Sequence, residues 1–133
     1  QSAQVRVLLQ SEKRLKASLL SGILGQPGIS ERATAHGEQV WQVVNEGQEP
    51  HEVMIVKLAD GKDVGDVLAF LHTLDGEQPY ANIGGFQAIT PGQTGWLKLD
   101  LAPGNYVALC YVPGAETGEL HFHMGMIQAF TVK

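Results

Sequence analysis

Short runs rich in apolar and β-forming residues recur along the chain, punctuated by sixteen glycines and six prolines. They are "VRVLL" (5 to 9), "QVWQVVN" (39 to 45), "EVMIVKL" (52 to 58), "GWLKLDL" (95 to 101), "NYVALCYV" (105 to 112) and "MIQAFTV" (126 to 132). Several short strands separated by turn residues predict an antiparallel sandwich or barrel. The clearest is "WLKLDL", where Trp96, Lys98 and Asp100 alternate with Leu97, Leu99 and Leu101 as in a half-buried strand. It lies between the Pro-Gly turns of "TPGQTG" and "APGNY", a hairpin-like unit that delivers the chain into the strand carrying Cys110.

Two segments break the period of two. In "GKDVGDVLAFLHTLDG", Val64, Val67, Leu68 and Leu71 fall at helical spacing, with Asp63 as a cap and Gly76 as a stop, so a helix is inserted between strands. In "SEKRLKASLLSGILGQPG", Leu15, Leu19 and Ile23 recur every four residues, Ser11 can cap, and Gly25 with Pro27 ends the pattern. This predicts an N-terminal helix over 11 to 25. Part of it, "KRLKASLLSGILG", imitates a signal peptide, but it follows a strand-like run and is interrupted by Ser and Gly, so it reads as folded structure.

Composition narrows the function classes. The 133 residues suit one domain with a core large enough to need no staple. Fourteen acidic against nine basic residues, with no basic cluster beyond Lys13, Arg14 and Lys16, leave no electrostatic footprint for DNA or RNA. No apolar run approaches the roughly 20 residues that cross a bilayer, so a soluble chain is expected. A single cysteine cannot form an internal disulfide, which leaves Cys110 as core filler, reactive thiol or metal ligand.

Candidate chemistry gathers at three places. "NEGQEPHEVMIV" sets His51 directly after Pro50 at the mouth of an apolar strand, Cys110 ends "YVALC", and "HFHMGM" offers His121, His123, Met124 and Met126 before the last strand. Imidazole, thiolate, imidazole and thioether are the ligand types of a mononuclear blue-copper site. Thiolate suits Cu(I) and imidazole suits Cu(II), so a site holding both can cycle.

Over roughly residues 36 to 133 the chain resembles the cupredoxins. "NEGQEPHEVMIV" is similar to their segment supplying the first histidine ligand, "PGNYVALCYVPG" to the strand leading into the cysteine ligand, and "GMIQAFTV" to the closing strand. "LADGKDVGDVLAFL", "IGGFQAITPGQ", "LDLAPGNYVALCYVP" and "HFHMGMIQAFTVK" resemble a bacterial cupredoxin-like group with a helical insertion and a long loop after the cysteine. The resemblance implies an all-β, antiparallel Greek-key β-sandwich, a copper cofactor, and ligands His51, Cys110, one of His121 and His123, and one of Met124 and Met126. It also implies an extracytoplasmic setting, periplasmic or secreted with or without a membrane tether, and a redox partner protein.

Two features depart from the familiar electron carriers: ten residues, "YVPGAETGEL", separate Cys110 from His121, and Glu52 follows the first histidine where Asn is common. A five-residue offset between His and Met, as in the cupredoxin domains of copper nitrite reductases, is reproduced by His121 and Met126. Phe130 and Val132 match the apolar positions after the axial methionine. That register selects His121 and Met126, with His123 and Met124 as alternates.

No Ser/His/Asp set or paired-carboxylate pattern supports hydrolysis, so an electron-transfer protein rather than an enzyme is expected. The alternative is a copper-free or copper-carrying binding domain on the same fold, the carrier form holding Cu(I) through His121, His123, Met124 and Met126. Met54 reads as packing, His72 as solvent-facing or packed, and Glu116 and Glu119 as solvated. The expected organisation is a single domain over 1–133, with an atypical strand-helix segment at 1–35 and the motif-bearing core at 36–133.

Overall fold

The computed structural model describes residues 5–11, 14–18, 36–124 and 126–133. In chain order the elements are β1 (Val5–Ser11), β2 (Arg14–Ser18), β3 (Gly37–Asn45), β4 (His51–Leu58), α1 (Val64–Thr73), β5 (Tyr80–Ile89), β6 (Thr94–Leu101), β7 (Gly104–Leu109), a 3-10 turn (His121–Met124) and β8 (Ile127–Val132). The strands form two four-stranded antiparallel sheets, β2-β1-β3-β6 and β5-β4-β7-β8.

The inward faces of both sheets share one core. Trp41 and Val43 of β3 and Leu97, Leu99 and Leu101 of β6 meet Val53 and Ile55 of β4, Tyr106 and Ala108 of β7, and Phe130 and Val132 of β8. Trp41 from one sheet lies 5.5 Å from Phe130 of the other, and Phe130 stacks on Tyr106 at 5.4 Å. The alternation read in "WLKLDL" is realised, with the three leucines buried and Trp96, Lys98 and Asp100 outside.

The hairpin-like unit is corrected. β6 pairs with β3, whereas β7 pairs with β4 and β8, so the chain crosses between sheets at Ala102 and Pro103. Both strands carry inward apolar residues for one core, and opposite sheets let them meet face to face. Tyr106 Oη donates to Ala102 O at 2.7 Å and pins the corner.

The inserted helix forms as its spacing predicts. Asp63 accepts from Asp66 N at 3.1 Å while Asp66 Oδ2 accepts from Asp63 N at 2.9 Å, a reciprocal cap that satisfies free N–H groups of the first turn. The stop is Leu74, in the left-handed region at φ 55°, rather than Gly76. Val67, Leu68 and Leu71 cover Val56, Val107 and Leu109 on the outer face of the second sheet. Burial on both faces explains why "NYVALC" is almost continuously apolar.

The predicted helix over 11 to 25 is overturned where it is described: Arg14–Ser18 is strand β2, paired with β1 through Leu8–Ser18, Gln10–Leu15 and Ser11–Arg14. A four-residue period in three residues is a weak preference, and the free edge of β1 offers backbone partners that outweigh it. Residues 19 to 25 lie outside the described residues. β5 was not among the predicted strands, because "YANIGGFQAI" has two central glycines and mostly exposed or half-exposed residues. At Gly85, φ is +154° and a β-carbon would sit 2.6 Å from Val53 O and 2.7 Å from Met54 Sδ. Gly85→Ala should therefore lower stability by roughly 1–3 kcal/mol in denaturant unfolding, and a midpoint equal to the parent's would contradict the clash.

Candidate metal centre

One end of the second sheet carries the chemistry. Asn45, fully buried at the end of β3, donates through Nδ2 to Glu49 O at 2.8 Å and Ile89 O at 2.9 Å, and its Oδ1 accepts from Gly47 N at 2.9 Å. Every bonding atom of the amide is thus used to shape the 46–50 loop, which ends at Pro50 and places His51 at the start of β4.

Cys110 is the residue after β7. Its N–H donates to Met126 O at 3.2 Å, Met126 N donates to His121 O at 3.0 Å, and His121 N donates to Val112 O at 2.8 Å. The ten-residue gap closes on itself: Pro113 and Leu120 form a bridge, Gly114 N donates to Glu119 O at 2.7 Å, and Gly118 N donates to Gly114 O at 2.9 Å. The long loop therefore returns His121 to the cysteine despite its length. The segment at 121 is a 3-10 turn ahead of β8, so strand parity does not relate His121 to His123.

The three side chains His51, Cys110 and His121 meet in the interior, and all are buried. Their exposures are 1%, 0% and 2%, and Met126, at 0%, packs in the same core as Cys110. His51 Nδ1 lies 3.2 Å from His121 Nδ1, and Cys110 Sγ lies 4.0 Å and 3.6 Å from these two nitrogens. The point equidistant from the corners of that triangle is about 2.1 Å from each, inside the roughly 2.0–2.3 Å of metal–nitrogen and metal–sulfur bonds. The donor set and its spacing fit one borderline-soft metal ion.

Neighbours hold these donors from behind. Glu52 N donates to Cys110 Sγ at 3.5 Å, and Glu52 Oε1 accepts from Tyr111 N at 3.1 Å. Glu52 thus ties the histidine strand to the cysteine segment. Glu49 Oε1 accepts from Ala115 N at 2.9 Å and lies 3.0 Å from His121 Nε2. Among the described residues, His51 Nε2 is buried without a hydrogen-bond partner.

Electrostatics follow from this burial. The Ala115 N–H, then the His121 ring, hold the Glu49 carboxyl below its ordinary range. Burial pushes the Cys110 thiol up, against the lowering effect of the Glu52 and Val112 N–H groups. Burial, then repulsion from His121, pushes the His51 imidazole from 6.5 down to about 4, with Glu49 opposing. Between those values the unfolded chain binds a proton that the folded one refuses. Stability of the metal-free protein is therefore full above about pH 6.5 and lost as pH falls toward 4, by up to roughly 3 kcal/mol. Urea midpoints with chelator present, compared at pH 7 and pH 4.5, check this; equal midpoints would refute it.

The remaining candidates separate from this centre. His36 Nδ1 meets Lys133 O at 2.8 Å, His72 is exposed in the last turn of α1, and Met54 packs beneath that helix. Glu116 and Glu119 are exposed. The side chains of His123 and Met124 lie outside the described residues. Sequence reasoning missed Glu49, and it left open what replaces the usual Asn at Glu52. Glu49's only signal was proximity, two residues before His51 in the same loop.

No family model and no curated protein matches the chain. A β-rich fold with a buried His, Cys, His and Met cluster is what the structure defines, and that cluster resembles a cupredoxin-like site.

Proposed function

We propose that this is a Greek-key cupredoxin domain that holds one copper ion and transfers single electrons to a partner protein, without being an enzyme. The single observation that carries the reading is the triangle of Cys110 Sγ and two histidine Nδ1 atoms, whose centre is at bonding distance from all three. The sheet orders β2-β1-β3-β6 and β5-β4-β7-β8 support the Greek-key winding. An extracytoplasmic compartment is part of the proposal through the cupredoxin resemblance.

His51, Cys110, His121 and Met126 would hold the copper. Copper would supply cycling between Cu(I) and Cu(II). The chain's own residues exclude water, since no donor is more than 2% exposed, and they hold the Cys110, His51 and His121 donors close together.

Adding Cu(II) to the purified protein should produce an intense visible thiolate-to-copper band. His121→Ala should abolish it and His123→Ala should leave it largely intact. The reverse result would move the ligand to His123 and reopen the choice between Met124 and Met126.

A copper-carrying domain without redox turnover is the second reading. The closed surroundings of both imidazoles favour it, as neither ring of the pair opens to solvent. Its surface-cluster version, without Cys110, is disfavoured by the burial of His121 and Met126. Copper binding with no visible band would support the carrier, and no binding would support a metal-free module.

A further inference from the structure

Glu49 makes two contacts through one oxygen, and each joins it to a different part of the site. The bond from Ala115 N at 2.9 Å fastens it to the loop after Cys110, and that at 3.0 Å reaches the outward nitrogen of His121. Its side chain is 25% exposed while that of His121 is 2% exposed, so the carboxylate stands between the imidazole and water. An ionised carboxylate only accepts hydrogen bonds. The His121 Nε2 facing it must therefore carry a proton.

We propose that Glu49 is a positioning residue of the copper centre: its carboxylate locks the His121 proton on Nε2, aims the bare Nδ1 at Cys110 and His51, and biases the site toward the divalent ion. This rests on the copper reading above. The bias follows from charge: a thiolate and a neighbouring carboxylate offset both positive charges of Cu(II), but leave an excess negative charge beside Cu(I).

The same proton placement reaches His51. With His121 Nδ1 bare in the neutral ring, the 3.2 Å contact between the two Nδ1 atoms needs its proton from His51. The proton of His51 then sits on Nδ1, and its buried Nε2, which has no partner among the described residues, is a bare acceptor. A buried acceptor without a partner is tolerated better than a buried donor. His121 is thus ready to bind metal as it stands, whereas His51 must give up its Nδ1 proton first.

The test has a metal-free and a metal-bound arm. Nitrogen-15 NMR of the metal-free wild type at neutral pH should show His121 as the Nε2–H form and His51 as the Nδ1–H form. A doubly protonated His121, or one with its proton on Nδ1, overturns the proposal with no mutation needed. In the second arm, Glu49→Gln keeps an oxygen for Ala115 N but removes the charge, and Glu116→Gln removes a charge from an exposed position on the nearby loop.

Glu49→Gln should weaken Cu(II) binding by about 10–100-fold with a smaller loss for Cu(I). Each tenfold difference raises the reduction potential by about 59 mV. Glu116→Gln should shift neither. Equal effects from the two variants, or an unchanged potential in Glu49→Gln, overturn the proposal while the copper reading stands. Failure of the wild type to bind copper overturns both, and the NMR arm then shows only whether the proton placement holds.

Discussion

Cys110→Ala is expected to remove the visible copper band completely while leaving a folded protein. The band requires a thiolate bound to copper, and Cys110 is the chain's only cysteine. Copper affinity should fall by more than the roughly 10–100-fold that follows loss of a residue merely supporting a ligand. Burial raises the thiol's pKa in the metal-free protein, so a metal must displace its proton. Affinity in the wild type should therefore weaken as pH falls, and calorimetry in two buffers of different ionisation enthalpy should register proton release. A band that survives Cys110→Ala would exclude the proposed centre, as would wild-type binding that releases no proton.

Trp41→Ala should cost about 3–5 kcal/mol of stability, the range for removing a large aromatic from a core. Trp41 is fully buried, contacts Phe130 across the two sheets, and donates through Nε1 to Gln39 Oε1 at 2.9 Å. The deletion opens a void between the sheets and leaves Gln39 without that donor. Circular dichroism during urea unfolding would measure it. A loss below about 1 kcal/mol would mean that neighbouring side chains collapse into the space.

These two substitutions separate the centre from the scaffold. Cys110 is small, so its replacement by Ala removes chemistry with little loss of packing. Trp41 supplies no donor, yet it joins the two sheets through Phe130. Copper titration of Trp41→Ala under strongly native conditions should still give the band.

Residue chemistry made the donors legible before any fold was known. Few residue types bind soft metals, and His51, Cys110, His121 and Met126 stand where strands end at proline, glycine or a turn. Strand periodicity likewise indicated a mostly β architecture, and Asp63 with the spacing from Val64 to Leu71 located α1. Those features are local, because side-chain alternation and capping act within a few residues.

What only the tertiary structure decided depends on residues far apart in sequence. β2 appears because β1 offers an edge, a force no four-residue period can report. β5 has weak strand chemistry of its own and forms against β4. The folding of "YVPGAETGEL" onto itself determines that His121 returns to Cys110, although the chain between them is long. Glu49 and Glu52 gain their roles through Ala115, His121 and Tyr111, partners 59 to 72 residues away. Sequence alone identified which atoms could bind a metal; only folding brought them to bonding separation, because backbone pairing and core packing, acting across the whole domain, determine that distance.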